Sequence, residues 1–177
     1  NTARSNGANA GASNTAALTA GGYTTTYVAN VESWDGSSWT EVGDLNTART
    51  LNAGFGTSTA ALAFGGETPP RTGATEQWNG TSWTEVNDLN TARDSSSGAG
   101  EYTSGIAFAG LTPSATGKTE IWNGTIWVEN SDMSSARYEL TGNGTSTSAL
   151  AIAGSPNSAA VEEWSGSSNT TKTIDTD

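Results

Sequence analysis

Apolar positions in this chain come in short alternating runs. In TAALAF (59–64), Leu62 and Phe64 fall on one side of an extended chain and Ala61 and Ala63 on the other, because successive side chains of a strand point to opposite faces. The alternation returns as Ile106 and Phe108 against Ala107, and as Leu150 and Ile152 against Ala149 and Ala151. Large residues on one face and small apolar ones on the other predict sheets covered on both sides. A sheet with one wet face would carry polar residues there. Within residues 46–89 the pattern predicts strands over 51–56, 59–66, 74–80 and 82–86. It suggests no helix anywhere.

These runs belong to a repeat. SSWTEVGDLNTAR (37–49) comes back as TSWTEVNDLNTAR (81–93). Alignment on Arg4, Arg49, Arg93 and Arg137 gives spacings of 45, 44 and 44 residues; alignment on Trp34, Trp78, Trp122 and Trp164 gives 44, 44 and 42. A second Trp recurs as Trp39, Trp83 and Trp127 and is replaced by Asn169 in the last copy. Four copies of about 44 residues (approximately 1–45, 46–89, 90–133 and 134–177) therefore fill the chain as one domain. The third and fourth strands are joined by WDGSSW, WNGTSW, WNGTIW and WSGSSN. Asp-Gly or Asn-Gly between strand runs predicts a two-residue type I′ hairpin. After each second strand stands Gly21-Gly22, Gly65-Gly66, Ala109-Gly110 or Ala153-Gly154, where glycine lets the chain turn sharply. Four antiparallel strands per copy, covered on both faces and repeated at this period, predict an all-β fold: a β-propeller of four-stranded blades.

An Arg before the first strand, a Gly-Gly after an apolar second strand, and an aromatic–Trp pair across the third and fourth strands resemble kelch-repeat propellers. The resemblance covers all four copies. It extends, more loosely, to kelch-like arrays of bacterial and phage surface proteins. Trp34 and Trp39 enclose four residues where the family usually has six, so the hairpin is tighter. Kelch propellers usually have six or seven blades, which the resemblance implies as a possible full ring. The first copy starts where a fourth strand would just have ended, and SSNTTKTIDTD loses the repeat at the other end. A four-bladed unit is expected. A partial ring completed by another copy or by further sequence is the alternative.

Composition narrows the function. The net charge of −11, from 18 acids and 7 bases, argues against phosphate-led nucleic-acid binding and against an anionic membrane surface. No apolar run approaches a membrane span. The chain has no Cys and no His, which removes disulfides, thiolate nucleophiles, Ser-His-Asp triads and most zinc sites. No cofactor is expected. The copper-radical oxidases of kelch-like architecture need His ligands and a cross-linked Cys, so that chemistry is excluded. Seven periodically placed Trp argue against disorder.

Two groups of residues stand out. Those that recur read as architecture: Arg4, Arg49, Arg93 and Arg137, with Glu32, Glu76, Glu120 and Glu162 two residues before the first Trp. A guanidinium forks onto a carboxylate, so an Arg–Glu clasp is the first reading and a ring of Arg for an anionic ligand the second. The Trp pairs Trp34/Trp39, Trp78/Trp83 and Trp122/Trp127, with Trp164, read as packing first and sugar stacking second. Glu41, Glu85 and Glu129 also recur by blade, whereas a catalytic carboxylate pair would be singular. The residues that vary follow the Gly-Gly and the Arg: Tyr23, Tyr27, Pro69, Pro70, Arg71, Leu111, Lys118, Tyr138 and Pro156. In an up-and-down blade both variable segments fall at one end, and loops on a rigid scaffold are where binding residues gather. The expectation is a non-enzymatic module that binds a protein or glycan through that face, in an extracellular, cell-surface or virion appendage. A structural spacer in an assembly is the alternative, and a carbohydrate-active enzyme the third.

Overall fold

The computed structural model describes residues 2–156, 159–166 and 169–172. Every regular element among them is a strand, and the strands form four separate antiparallel sheets. Blade 1 holds β1 (Ala8–Ser13), β2 (Ala16–Tyr23), β3 (Tyr27–Trp34) and β4 (Trp39–Glu41). Blade 2 holds β5 (Ala53–Gly56), β6 (Ala61–Phe64), β7 (Thr75–Trp78) and β8 (Trp83–Val86). Blade 3 holds β9 (Ser97–Glu101), β10 (Ser104–Leu111), β11 (Ala115–Trp122) and β12 (Trp127–Asn130). Blade 4 holds β13 (Thr141–Thr145), β14 (Ser148–Ile152), β15 (Val161–Trp164) and β16 (Asn169–Lys172). Strand order within each sheet is sequence order. The inner strands of successive blades adjoin, β1 with β5, β5 with β9 and β9 with β13. The fold is a four-bladed β-propeller.

Blades stack large face on small face. Register places Phe55 beside Leu62 and Ala53 beside Phe64 on one side of blade 2. These four residues pack against Ala107, Trp122 and Trp127 of blade 3. Ala99, Ile106 and Phe108 of blade 3 meet Ala149, Ala151 and Trp164 of blade 4 in the same way, and Ala8, Leu18 and Ala20 of blade 1 meet Ala61, Ala63 and Trp83 of blade 2. Each fully buried Leu, Ile or Phe contributes about 1.5–3 kcal/mol. Sizes are matched pair by pair. Ala10 packs against the cluster that holds Ala61 at the first interface, and Ala99 and Ala149 share the cluster of the third. In the second, Phe55 points at Gly105, where an added Cβ would lie 2.1 Å from the ring.

In blades 1, 2 and 3 the expected type I′ hairpin does not form; the corresponding loop of blade 4 includes residues 167–168, which lie outside the described residues. Only the glycine of each loop has a positive φ (97° at Gly36, 92° at Gly80, 94° at Gly124), whereas type I′ needs two such residues. Trp34 pairs with Trp39, Trp78 with Trp83 and Trp122 with Trp127 across four-residue loops. The Asp or Asn side chain closes each loop instead. Asp35 Oδ1 accepts from the Ser37 and Ser38 N–H at 2.8 and 2.9 Å, and Asn79 and Asn123 do the same at 2.9–3.0 Å. This is an Asx turn, which needs no left-handed Asp or Asn. The two indoles of each pair lie in tilted contact, with centroids 5.4–5.6 Å apart.

The segment that links blades explains the repeated word. Leu45, Leu89 and Met133 are buried at each junction. Asn46 donates its N–H and Nδ2 to Glu76 Oε2 at 2.7 and 2.8 Å, and Asn90 repeats this on Glu120. Asp44 and Asp88 accept the Val31 and Thr75 N–H at 3.3 Å. Leu-Asn-Thr-Ala-Arg is thus a stitch from the end of one blade to the third strand of the next.

Candidate binding face

The recurring Arg residues lie inside the blades. Arg49, Arg93 and Arg137 are essentially fully buried, as are Glu76, Glu120 and Glu162. Arg49 pairs with Glu76 and donates Nη1 to Ala74 O at 2.6 Å. Arg93 Nη1 reaches Glu120 Oε1 at 2.7 Å, Arg137 Nη2 reaches Glu162 Oε1 at 3.2 Å, and Arg4 Nη2 reaches Glu32 Oε2 at 3.1 Å. Burial lowers the basicity of Arg93 and Arg137, and the facing glutamates oppose it; a guanidinium stays charged regardless. These groups tie the start of each blade to its second and third strands. In blades 2, 3 and 4 they are closed to any ligand from solvent. The first Trp of a pair is committed too: Trp34, Trp78 and Trp122 donate Nε1 to the carbonyls of Asn14, Ser58 and Tyr102 at 2.9–3.1 Å, pinning the turn between strands one and two.

At the opposite end the two variable segments of each blade are bound to each other. The residue after the Arg forms a two-way backbone bridge with the residue after the Gly-Gly or Ala-Gly pair: Ser5 with Tyr23, Thr50 with Glu67, Asp94 with Leu111 and Tyr138 with Ser155. One position further on, Asn6, Leu51, Ser95 and Glu139 all have φ between 52° and 60°, a conformation that non-glycine residues seldom adopt. Three bonds link them in series, each N–H donating to the preceding blade: Leu51 N to Asn6 O, Ser95 N to Leu51 O and Glu139 N to Ser95 O, at 2.8–2.9 Å. A second series runs beside it, from Gly22, Gly66 and Gly110 N to the carbonyls of Arg49, Arg93 and Arg137 at 2.8–3.0 Å. Four unrelated residues share one backbone state because that state carries the inter-blade bond. Nothing in their identities announces it.

The candidate residues take different places on this end. Tyr23, at the end of β2, is 42% exposed and stands edge-on to Tyr27, with ring centroids 5.8 Å apart. Partial desolvation and the charge of Glu67 raise the Tyr27 phenol above its ordinary value. Pro69 and Pro70 are exposed in the loop that closes from Thr68 N to Pro70 O at 3.2 Å. Leu111 and Tyr138 are half-buried in their bridges, and Pro156 is exposed after Ser155. Arg71 is committed elsewhere: Nε pairs with the buried Asp94 and Nη1 donates to Thr112 O at 3.1 Å, latching the blade 2 loop to blade 3. Ser95 Oγ supports Asp94 at 2.8 Å. Lys118 lies within β11 and turns toward the outer strand, where its Nζ is 2.9 Å from Glu129.

The four inner strands line a hollow of about 300 Å³, with Asn9, Asn52, Ser96, Ser97 and Thr141 as its polar side chains. Among the described residues no ionisable side chain lines it. Among the described residues no three His, Cys, Asp or Glu side chains converge to hold a metal ion. What this end offers chemically is aromatic rings, prolines and backbone amides on a hydrogen-bonded frame. No protein-family model matches the chain, and no curated protein matches it at a significant level.

Proposed function

We propose that this chain is a non-enzymatic, kelch-like propeller that binds a protein or glycan partner through the end carrying its variable segments, as a module of a cell-surface or virion appendage. One observation carries the reading. In every blade the two segments that differ between copies are bridged backbone to backbone, on a frame whose other end repeats a nearly constant hairpin. Rigid support of diverse side chains is how loop-borne binding surfaces are made. The Tyr23–Tyr27 pair is the anchor of the face, because tyrosine contributes large contact area at low conformational cost.

The test is a glycan array and a pull-down with the 177-residue chain, run beside Tyr23→Ala/Tyr27→Ala and beside Ile126→Ala at the constant end. The tyrosine variant should lose at least about tenfold in affinity, the hot-spot scale of an aromatic anchor, and the Ile126 variant should bind as the parent does. Silence in both assays, or binding that ignores the tyrosines, sinks the proposal. The second reading, a structural module within an assembly, draws on the exposed Trp39 of blade 1 and the exposed Leu150 of blade 4.

A further inference from the structure

Three blade interfaces repeat one recipe. A large face meets a small face, the Gly22-type N–H bonds the carbonyl of the following Arg, and the Leu51-type N–H bonds the carbonyl one blade back. Among the described residues no fourth interface closes the set. No contact between β13 and β1 comparable to the other inner-strand pairs occurs, and no hydrogen bond joins Asn6 N to Glu139 O or Gly154 N to Arg4 O. Each end of the array therefore keeps half a recipe. Blade 1 presents its small face, with Ala17 half-buried, Asn9 exposed, and a hollow of about 410 Å³ lined by Arg4, Thr19, Glu32 and Trp39. Trp39 is 37% exposed, whereas its counterparts Trp83 and Trp127 are 6% and 3% exposed under the preceding blade. Blade 4 presents its large face. Leu150 is 39% exposed, whereas Leu18, Leu62 and Ile106 in the same position are at most 2% exposed.

We propose that these two flanks dock on each other between molecules: blade 4 of one copy packs head to tail on blade 1 of a second copy. The surface that matches each flank is the other end of the same chain. Large meets small, the Gly154 N–H meets the Arg4 carbonyl, and the Glu139 carbonyl meets the Asn6 N–H. The differences from the internal interfaces also match. Asn9 stands where blades 2 to 4 carry Gly54, Gly98 and Gly142, and the positions that are Ala53 and Phe55 in blade 2 are Thr141 and Asn143 in blade 4. Amide thus meets hydroxyl and amide at the inner end of the junction, with Leu150 and Ile152 supplying its apolar middle. Such a heterologous contact either closes into a ring or continues as a chain. Closure by two copies would make eight blades, within the range of known propellers. The proposal is independent of the loop-face reading, since neither flank contains the tyrosine pair.

Sedimentation equilibrium of the purified chain tests it, with two blocking variants. Asn9→Glu obstructs the head and Leu150→Glu the tail; both sites are exposed, and circular dichroism verifies the fold. The parent should self-associate with rising concentration, more strongly at high salt because each copy carries a net charge of −11. Each variant alone should weaken association at least about tenfold. An equimolar mixture of the two should recover a heterodimer and nothing larger, since one intact head and one intact tail remain. A parent that stays monomeric up to about 100 μM overturns the proposal. Association that survives Asn9→Glu overturns it as well, because it would have to be face on like face.

Discussion

Asp35 shows how one side chain carries a loop. Its carboxylate accepts the Ser37 hydroxyl first, then the Ser38 and Ser37 amides, and these bonds hold its pKa down at about 2. A carboxylate whose folded pKa lies below its unfolded value of about 3.9 stabilises the protein above that value and loses the contribution as pH falls toward 2. Blades 2 and 3 place Asn79 and Asn123 at the same position with the same amide bonds. Asp35→Asn should therefore keep the loop and remove its share of acid sensitivity. Thermal melts of parent and variant should converge near pH 2 and separate above pH 4 only if the charge adds to the amide bonds, and an NMR titration of Asp35 should show a midpoint near 2. A midpoint near 4 would refute the hydrogen-bonding account. The Asp-Gly and Asn-Gly pairs marked the position of this turn in the sequence but not its type. Type depended on register: Trp34 pairs with Trp39, Trp78 with Trp83 and Trp122 with Trp127, which leaves four residues in the loop.

Within the elements, the alternation of large and small residues was legible because a strand has a period of two. It located the second strands and foretold that both faces are covered. What it could not show is which small residue answers which large one. The pair Phe55–Gly105 spans two blades and is 50 residues apart in the chain, and only packing reveals it. Gly105→Ala should destabilise the protein by driving a methyl into the Phe55 ring, by about 1–3 kcal/mol on the scale of overpacked cores. Phe55→Ala should cost about 3–5 kcal/mol. The double variant recreates the alanine pair found at the first and third interfaces, so its loss should fall short of the sum by about 1 kcal/mol or more. Denaturant unfolding of the four proteins measures this; strict additivity would mean that the two residues do not answer each other.

Across the whole molecule, position in the array decides what a residue is worth. Leu62 and Leu150 occupy the same place in their blades, yet one is 1% and the other 39% exposed. In the isolated chain Leu62→Ala should cost about 2–5 kcal/mol and Leu150→Ala no more than about 0.5 kcal/mol, as for surface substitutions; equal losses in chemical denaturation would mean that blade 4 is covered as blade 2 is. The sequence by itself determined the repeat, the four-stranded blade, the sides of each strand and the end on which variation collects, because these follow from local periodicity and from copies compared with one another. Tertiary structure alone decided the inter-blade hydrogen bonds of Asn6, Leu51, Ser95 and Glu139, the latch of Arg71 on Asp94, and the exposure of Trp39 and Leu150 where their counterparts are buried. These arise where residues distant in the chain meet, and a repeating sequence gives equivalent positions the same letters whatever they come to touch.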